Sequence, residues 1–205
     1  MKKNVMILTG AGQIGMAIAR RMGYGKKIVV GDKRLENAKA VAEILNNAGF
    51  DAVAAECDIS SRESIRSLID TACGLGDVEM LVNAAGVSPS QAPVDAILKV
   101  DLYGTAVLLG EVGKVIMCGG SGITVSSQSG HRLPALTPEE DELLATTPAE
   151  ELLSLDILKK ENIRDTLHAY QLAKRCNVKR VMAEAVKRGG RGARINSVSP
   201  GIIVT

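Results

Sequence analysis

The run Ile7-Leu8-Thr9-Gly10-Ala11-Gly12-Gln13-Ile14-Gly15 restricts what this chain can fold into more than any other stretch, because an apolar segment stops in glycines and restarts with helical spacing. Val5 to Leu8 read as a buried strand, and Met16, Ile18, Ala19 and Met22 continue as a helix, so the glycines occupy a strand-to-helix turn. Gly10 permits the tight turn, Gly12 lets the backbone approach a pyrophosphate with no Cβ in the way, and Gly15 lets the helix pack closely on the strand. The helix N-terminus offers unpaired N–H groups and a positive dipole end to the anion. A second apolar strand, Lys27 to Gly31, ends at Asp32, 20 residues after Gly12. That is the offset expected of an acid that binds a ribose 2′-hydroxyl. A glycine turn alone would be an ordinary turn; strand, turn, helix, strand and acid in register predict a dinucleotide site.

Apolar strands alternate with amphipathic helices along the rest of the chain, which predicts an α/β fold with a doubly wound parallel sheet. A helix is expected from about Arg34 to Asn47 with Gly49 as its stop, then a strand over Ala52 to Ala55. Ser60 or Ser61 caps the next helix, which stops at Gly74 and Gly76. Val78 to Val82 form the fourth strand, a helix follows from about Pro93 to Val112, and the fifth strand starts at Ile116 or Ile123 and runs to Ser126. A long helix is expected from Thr166 to Lys187 and a sixth strand from Gly192 to Asn196. The segment from His131 to Arg164 interrupts this alternation. It is acidic, with nine Asp/Glu against three Lys/Arg between Pro138 and Asp165. Two capping boxes, Thr137-Pro138-Glu139-Glu140 and Thr147-Pro148-Ala149-Glu150, predict two short helices there. With no repeat, low-complexity tract or linker, the 205 residues are expected to form a single domain.

Charge and aromatic content exclude some functions. A net charge of +2 gives no electrostatic case for nucleic acid or a membrane surface, and one Phe, three Tyr and no Trp leave almost no platform for stacking bases. No run approaches the ~18 apolar residues of a membrane span. Cys57, Cys73, Cys118 and Cys176 are far apart and suggest neither a zinc site nor a disulfide framework, so a cytoplasmic protein with reduced thiols is expected.

Tyr170 and Lys174 lie at i and i+4 on the long helix and share a face. A tyrosine with a pKa near ~10 is a poor base at neutral pH, and a cation beside it favours the phenolate, which suits proton transfer. Alone, such a pair is more often a helix-surface contact. It occurs here with Thr9-Gly10 and the glycines, Asp58 after the third strand, Asn83-Ala84-Ala85-Gly86 after the fourth, Ser126-Ser127 after the fifth, and Pro200-Gly201 with Thr205. This ordered set resembles the classical short-chain dehydrogenase/reductase family over the whole chain except the acidic insert, 131–165.

The resemblance implies a Rossmann-type sheet of strand order 3-2-1-4-5-6 and an NAD(P)-dependent oxidoreductase that passes hydride between nicotinamide C4 and a secondary alcohol or ketone, hydroxysteroids among the candidates. It implies that Ser127 hydrogen-bonds the substrate oxygen, that Tyr170 is the general acid/base, and that Lys174 lowers its pKa and binds the nicotinamide ribose. Asp58 would bind the adenine amino group, Asn83 would steady the sheet beside the adenosine, and Ile202 and Thr205 would meet the carboxamide. The full cofactor-binding set comprises Thr9, Gly10, Gly12, Gln13, Ile14, Gly15, Asp32, Lys33, Asp58, Ile59, Asn83, Ala84, Ala85, Gly86, Tyr170, Lys174, Pro200, Gly201, Ile202 and Thr205, with no metal. The family also suggests a homo-oligomer, a tetramer or dimer, built on the two long helices from Pro93 and from Thr166.

Four departures bear on these roles. The glycine turn is one residue shorter than the family's. Asp101 stands where the family has a catalytic asparagine. Ser127 and Tyr170 are 43 positions apart instead of a short loop, so the insert is expected to cover the cleft as a substrate lid or to pack on a neighbouring subunit. The helix after it carries eight Lys/Arg and one acid from Gln171 to Arg194, which could pair with the acidic insert. The chain ends at Thr205, where the family continues into a substrate loop, so the residues that choose the substrate are expected to be missing. His131 and His168 could touch substrate, although lone histidines are more often structural.

Asp32 favours NAD, since its carboxylate accepts from a free 2′-hydroxyl and repels a 2′-phosphate, while Lys33 and Arg34 would aid NADP. Two other classes use the same motifs: a non-catalytic dinucleotide sensor or scaffold, and a lyase or epimerase of the extended branch.

Overall fold

In the computed structural model, which describes residues 3–203, the chain's apolar runs become six parallel strands in one sheet of order β3-β2-β1-β4-β5-β6. The strands are β1 (Lys3–Thr9), β2 (Lys27–Asp32), β3 (Asp51–Glu56), β4 (Gly76–Asn83), β5 (Ser121–Val125) and β6 (Arg194–Val198). β1 is central, and its residues from Val5 to Thr9 are buried without a break, as a parallel strand covered on both faces requires. Its period of two still sorts them. Val5 and Ile7 join Val29, Leu81, Leu68 and Leu108 on one side of the sheet, whereas Met6 and Leu8 join Ile28, Val30, Val82, Val41 and Leu45 on the other.

Helices cover both faces. α1 (Gln13–Met22) and α2 (Leu35–Asn47) lie on one side, and α3 (Arg62–Leu75) and α5 (Thr105–Val115) on the other. Ser61 is the N-cap of α3, its hydroxyl accepting from the Ser64 amide. Strand order reverses between β1 and β4, so a crevice opens at their carboxyl ends, where open α/β sheets bind ligands. No helix among the described residues is long and apolar enough to cross a membrane.

Several expected boundaries are corrected. The helix expected from Pro93 to Val112 is three joined pieces: α4 (Val94–Ile97), a π-helical stretch over Leu98–Gly104, and α5. The fifth strand does not start at Ile116, which caps α5, but at Ser121 after a turn with Gly119 in the left-handed region. The sixth strand is shifted to Arg194–Val198 because Gly189 to Gly192 are still turning out of α8 (Thr166–Gly189).

In the insert, the box at Thr137 forms with both reciprocal bonds and starts α6 (Pro138–Thr146). The box at Thr147 does not form: Thr147 is already the C-cap of α6, its amide bonded to the Leu143 carbonyl, and α7 (Ala149–Leu152) begins from Pro148 with no side-chain cap. The expected pairing of the insert with the basic helix is present, with Asp141 accepting from Arg175 at 2.9 and 2.5 Å and lying 2.9 Å from Lys179.

Candidate active site

The glycine turn after β1 follows the geometry its spacing predicts. Gly10 has φ +87°, and a Cβ there would lie 2.6 Å from the Ala85 amide nitrogen; a Cβ on Gly15 would lie 2.7 Å from the Gly10 carbonyl oxygen. The turn is thus pressed against the loop after β4 on one side and the first turn of α1 on the other. Gly12 is the N-cap of α1, has no side-chain cap, and faces open space. An uncapped helix start facing open space is a cradle that fits a diphosphate.

A groove runs from that cradle in both directions. One arm is lined by Asp32, Lys33, Arg34, Asn37, Asp58 and Ile59, and the other by Ile14, Asp101, Ser127, Tyr170, Lys174, Pro200 and Gly201. Gly12, Ala84, Ala85, Gly86 and Val87 line both arms, so the two are continuous, and together they fit a dinucleotide.

In the first arm the Asp32 carboxylate is fixed by two backbone donors, the Ala11 amide at 3.0 Å and the Arg34 amide at 3.0 Å. Lys33 reaches across to Asp58 at 2.9 Å. Burial pushes the Asp58 carboxyl up, and the Lys33 ammonium and the two Ser60 donors outweigh it, holding it below the ordinary carboxylate value. Beneath the groove, Thr9 donates to the Asn83 amide oxygen at 2.9 Å, and Asn83 donates to Thr105 at 3.3 Å. Asn83 is therefore spent on tying β1 and β4 to α5.

In the second arm Lys174 is buried and its ammonium lies 5.3 Å from the Tyr170 ring centre, 3.4 Å from the Val125 carbonyl oxygen and 3.3 Å from Asp101 Oδ2. Asp101 is fully buried; its Oδ1 accepts from the Val87 amide at 2.8 Å, and Oδ2 has no hydrogen-bond partner beyond the nearby ammonium. Burial raises the Asp101 carboxyl above its ordinary range, against the pull of Lys174 and the Val87 amide. Asn177, with its amide turned to donate, reaches the Asp101 carbonyl at 2.8 Å and the Ala173 carbonyl at 3.1 Å. Ser126 is buried and donates to the Lys174 carbonyl at 2.9 Å, pinning β5 to α8, while Ser127 lines the groove and accepts from the Ser129 amide.

Other expected site residues fall elsewhere. Gln13 and Ile202 do not line the groove, and Ile202 is 91% exposed; Ile203 lines it instead. Thr205 lies outside the described residues. Neither histidine lines it: His131 pairs with Ser199 at 2.9 Å and His168 accepts from the Arg164 amide. Asn37, Val87, Ser88 and Gln91 line the groove without having been singled out. Val87 and Ser88 directly follow the Asn83-to-Gly86 motif, which was the available signal; Asn37 and Gln91 belonged to no motif. No residue of the insert lines either arm of the groove.

Comparison with known proteins matches residues 3–138 to the family model described as short chain dehydrogenase. The chain is 36% identical over 206 residues to a protein named short-chain dehydrogenase/reductase bsc3 from Alternaria brassicicola, covering 100% of this chain and 75% of that one. Among solved structures, a 7α-hydroxysteroid dehydrogenase complexed with NADH and 7-oxo glycochenodeoxycholic acid aligns with a TM-score of 0.72 at 24% identity, over 97% of this chain and 70% of that one. A variant of the actinorhodin polyketide ketoreductase with NADPH aligns with a TM-score of 0.73 at 22% identity, over 97% and 70%.

Proposed function

Because this chain belongs to the short-chain dehydrogenase/reductase family, we propose that it oxidises a secondary alcohol or reduces the corresponding ketone, with NAD as cofactor and Tyr170 as general acid/base. The observation that carries this reading is that Ser127 and the Tyr170–Lys174 pair, which begins 43 positions later in the sequence, line one groove continuous with the cradle at Gly12. The reading treats the chain as one dinucleotide-binding and catalytic unit carrying the 131–165 insert. The sensor or scaffold alternative gains nothing from the comparisons, since the relative above is itself named a dehydrogenase/reductase.

When bound, a nicotinamide dinucleotide supplies the hydride acceptor or donor; the chain supplies binding, orientation and the proton path. Ser127 hydrogen-bonds the substrate oxygen and fixes it beside the Tyr170 phenol. Tyr170 takes the hydroxyl proton of an alcohol, or returns it to the oxygen of a ketone. Lys174 stabilises the ionised phenol and reaches the ribose. Asp101 and the Val125 carbonyl hold that ammonium in place. The backbone from Gly10 to Gly15 and from Ala84 to Gly86 receives the diphosphate, Asp58 and Ile59 the adenine, and Pro200-Gly201 the nicotinamide end.

NAD is preferred to NADP because the Asp32 carboxylate, fixed by two amides, lines the far arm with its charge in place. Lys33, one of the two cations that would favour a 2′-phosphate, is engaged by Asp58. Fluorescence titration is expected to give tighter binding of NADH than of NADPH; the reverse order would overturn the preference. A screen of secondary alcohols and ketones, hydroxysteroids and polyols among them, followed by absorbance of the reduced cofactor, tests the activity. Cofactor binding with no turnover on any of them would favour the sensor.

A further inference from the structure

Once the residues given to the cofactor, to the proton path and to its supports are set aside, Val87, Ser88, Gln91 and Ile203 remain of those lining the second arm. Two are apolar, and two carry a hydroxyl or an amide. The local sequence explains how the polar two come together. Ser88-Pro89-Ser90-Gln91 forms a β-turn closed by the Gln91 backbone amide, which donates to the Ser88 carbonyl at 3.0 Å. Pro89 stands at the second position, where its fixed φ suits the turn, and the first and last residues of such a turn lie within about 7 Å at their Cα atoms. Ser88 and Gln91 are those two residues, and the loop that carries them continues directly from Gly86 and Val87.

Their bonding capacity is largely free. The Ser88 hydroxyl meets the Ser90 hydroxyl at 3.0 Å, and the Gln91 side-chain amide has no hydrogen bond to any described residue. A primary amide both donates and accepts, as does a hydroxyl, so each is matched by a group that does the same, and among substrate groups that is another hydroxyl. A substrate carboxylate is served poorly: Lys174 is the one cation among the described residues lining this arm, and it is held by Asp101 at 3.3 Å and the Val125 carbonyl at 3.4 Å. An apolar substrate finds only Val87, Ile203 and the Tyr170 ring, and would strip water from Ser88 and Gln91 without replacing it.

We propose that Ser88 and Gln91 recognise a second hydroxyl of the substrate, so that the alcohol oxidised is a small polyol and the ketone reduced is its hydroxyketone. The proposal rests on the hydride-transfer reading and narrows it. The reacting carbon loses hydride to the nicotinamide and its hydroxyl loses a proton to Tyr170, leaving a carbonyl; the second hydroxyl keeps all its bonds and serves to place the first. Ser88 and Gln91 therefore decide which alcohol is held and take no part in the proton path.

Matched alcohols that differ by one hydroxyl test it: butane-2,3-diol against butan-2-ol, and cyclohexane-1,2-diol against cyclohexanol, each with NAD and followed by absorbance of the reduced cofactor. The diol of each pair is expected to have a kcat/KM roughly 10- to 100-fold above its partner, the range for leaving a hydrogen-bonding group of the site without its match. The double variant Ser88→Ala with Gln91→Leu is expected to bring that ratio close to one, with NADH titration as the check that the groove is still built. Equal use of both members of a pair by the parent chain, or a preference for the mono-alcohol, would overturn the proposal and leave hydride transfer standing. A diol preference that survives in the double variant would overturn it as well. If no alcohol of either pair is oxidised, the hydride-transfer reading loses its support, and calorimetric titration of cyclohexane-1,2-diol into the NAD-loaded protein decides the recognition separately. Binding weakened about 10-fold or more in the double variant would uphold it; binding equal in both proteins, or absent from the parent, would overturn it.

Discussion

Tyr170→Phe is expected to lower kcat/KM by about 10²- to 10⁴-fold, the range for loss of a positioned general acid/base, while leaving NADH affinity unchanged. The substitution keeps the ring over which Lys174 sits and removes only the oxygen, so the groove keeps its walls and Lys174 its contacts with Asp101 and Val125. The effect should fall on kcat and kcat/KM together, because the phenol acts in the transition state and adds little to ground-state binding. Steady-state kinetics with a substrate from the screen, paired with fluorescence titration of the cofactor, separate the two. Turnover within a few-fold of the parent would remove Tyr170 from the mechanism, whereas loss of cofactor binding would reassign it to holding the dinucleotide.

Lys174→Met should abolish measurable turnover and also destabilise the protein by about 3–5 kcal/mol at neutral pH, the cost of leaving one member of a buried ion pair without the other. Asp101 is the member left behind, fully buried, with an Oδ2 that has only the lysine nearby. The pH dependence has a definite sign. Burial already lifts the Asp101 carboxyl, with the lysine pulling it down, so removing the lysine lifts it further. A folded state that binds the proton more tightly than the unfolded chain keeps that stabilisation in acid and loses it as pH rises through the folded value. The deficit of Lys174→Met should therefore be largest at neutral pH and shrink toward the acid range. Denaturant melts across that range measure it, and adding Asp101→Asn should restore a large part of the stability without restoring turnover. A deficit that grows on acidification would contradict the assignment of charge within the pair.

The features legible in sequence were those with local causes. The glycine turn, the strand before it and Asp32 after the second strand are set by backbone clearance and a fixed path length, and all three lie as their spacing implies. Ser127, Tyr170 and Lys174 meet because strand ends and one helix face are set by the α/β alternation. Where the reading failed, competing neighbours decided. Thr147 carries a capping-box spacing, but α6 claims its amide first. The apolar spacing of 93–112 says helix and cannot say how wide its turns are. Ile202 and Ile203 are adjacent in a segment without regular structure after β6, so which one lines the groove is not set by any local pattern in the sequence. Leu144, Leu152 and Leu158 of the insert are buried against both long helices, a placement that only the assembled fold shows.

The wide-turned stretch over Leu98–Gly104 works as a coupling sleeve in a single rod. Ordinary α-helix advances about 100° per residue, so a continuous α-run would dictate the facing of Ile97 from that of Val107. Spreading the turns lets three positions along the run be aimed separately, Ile97 at the leucines of the insert, Asp101 at Lys174, and Val107 and Leu108 at the sheet. Tightening this stretch to ordinary α pitch with every residue kept would rotate the portion ahead of it relative to α5. Ile97 would then miss its seat against the insert. The irregular turns thus act as a phase adjuster that lets one helix serve three neighbours.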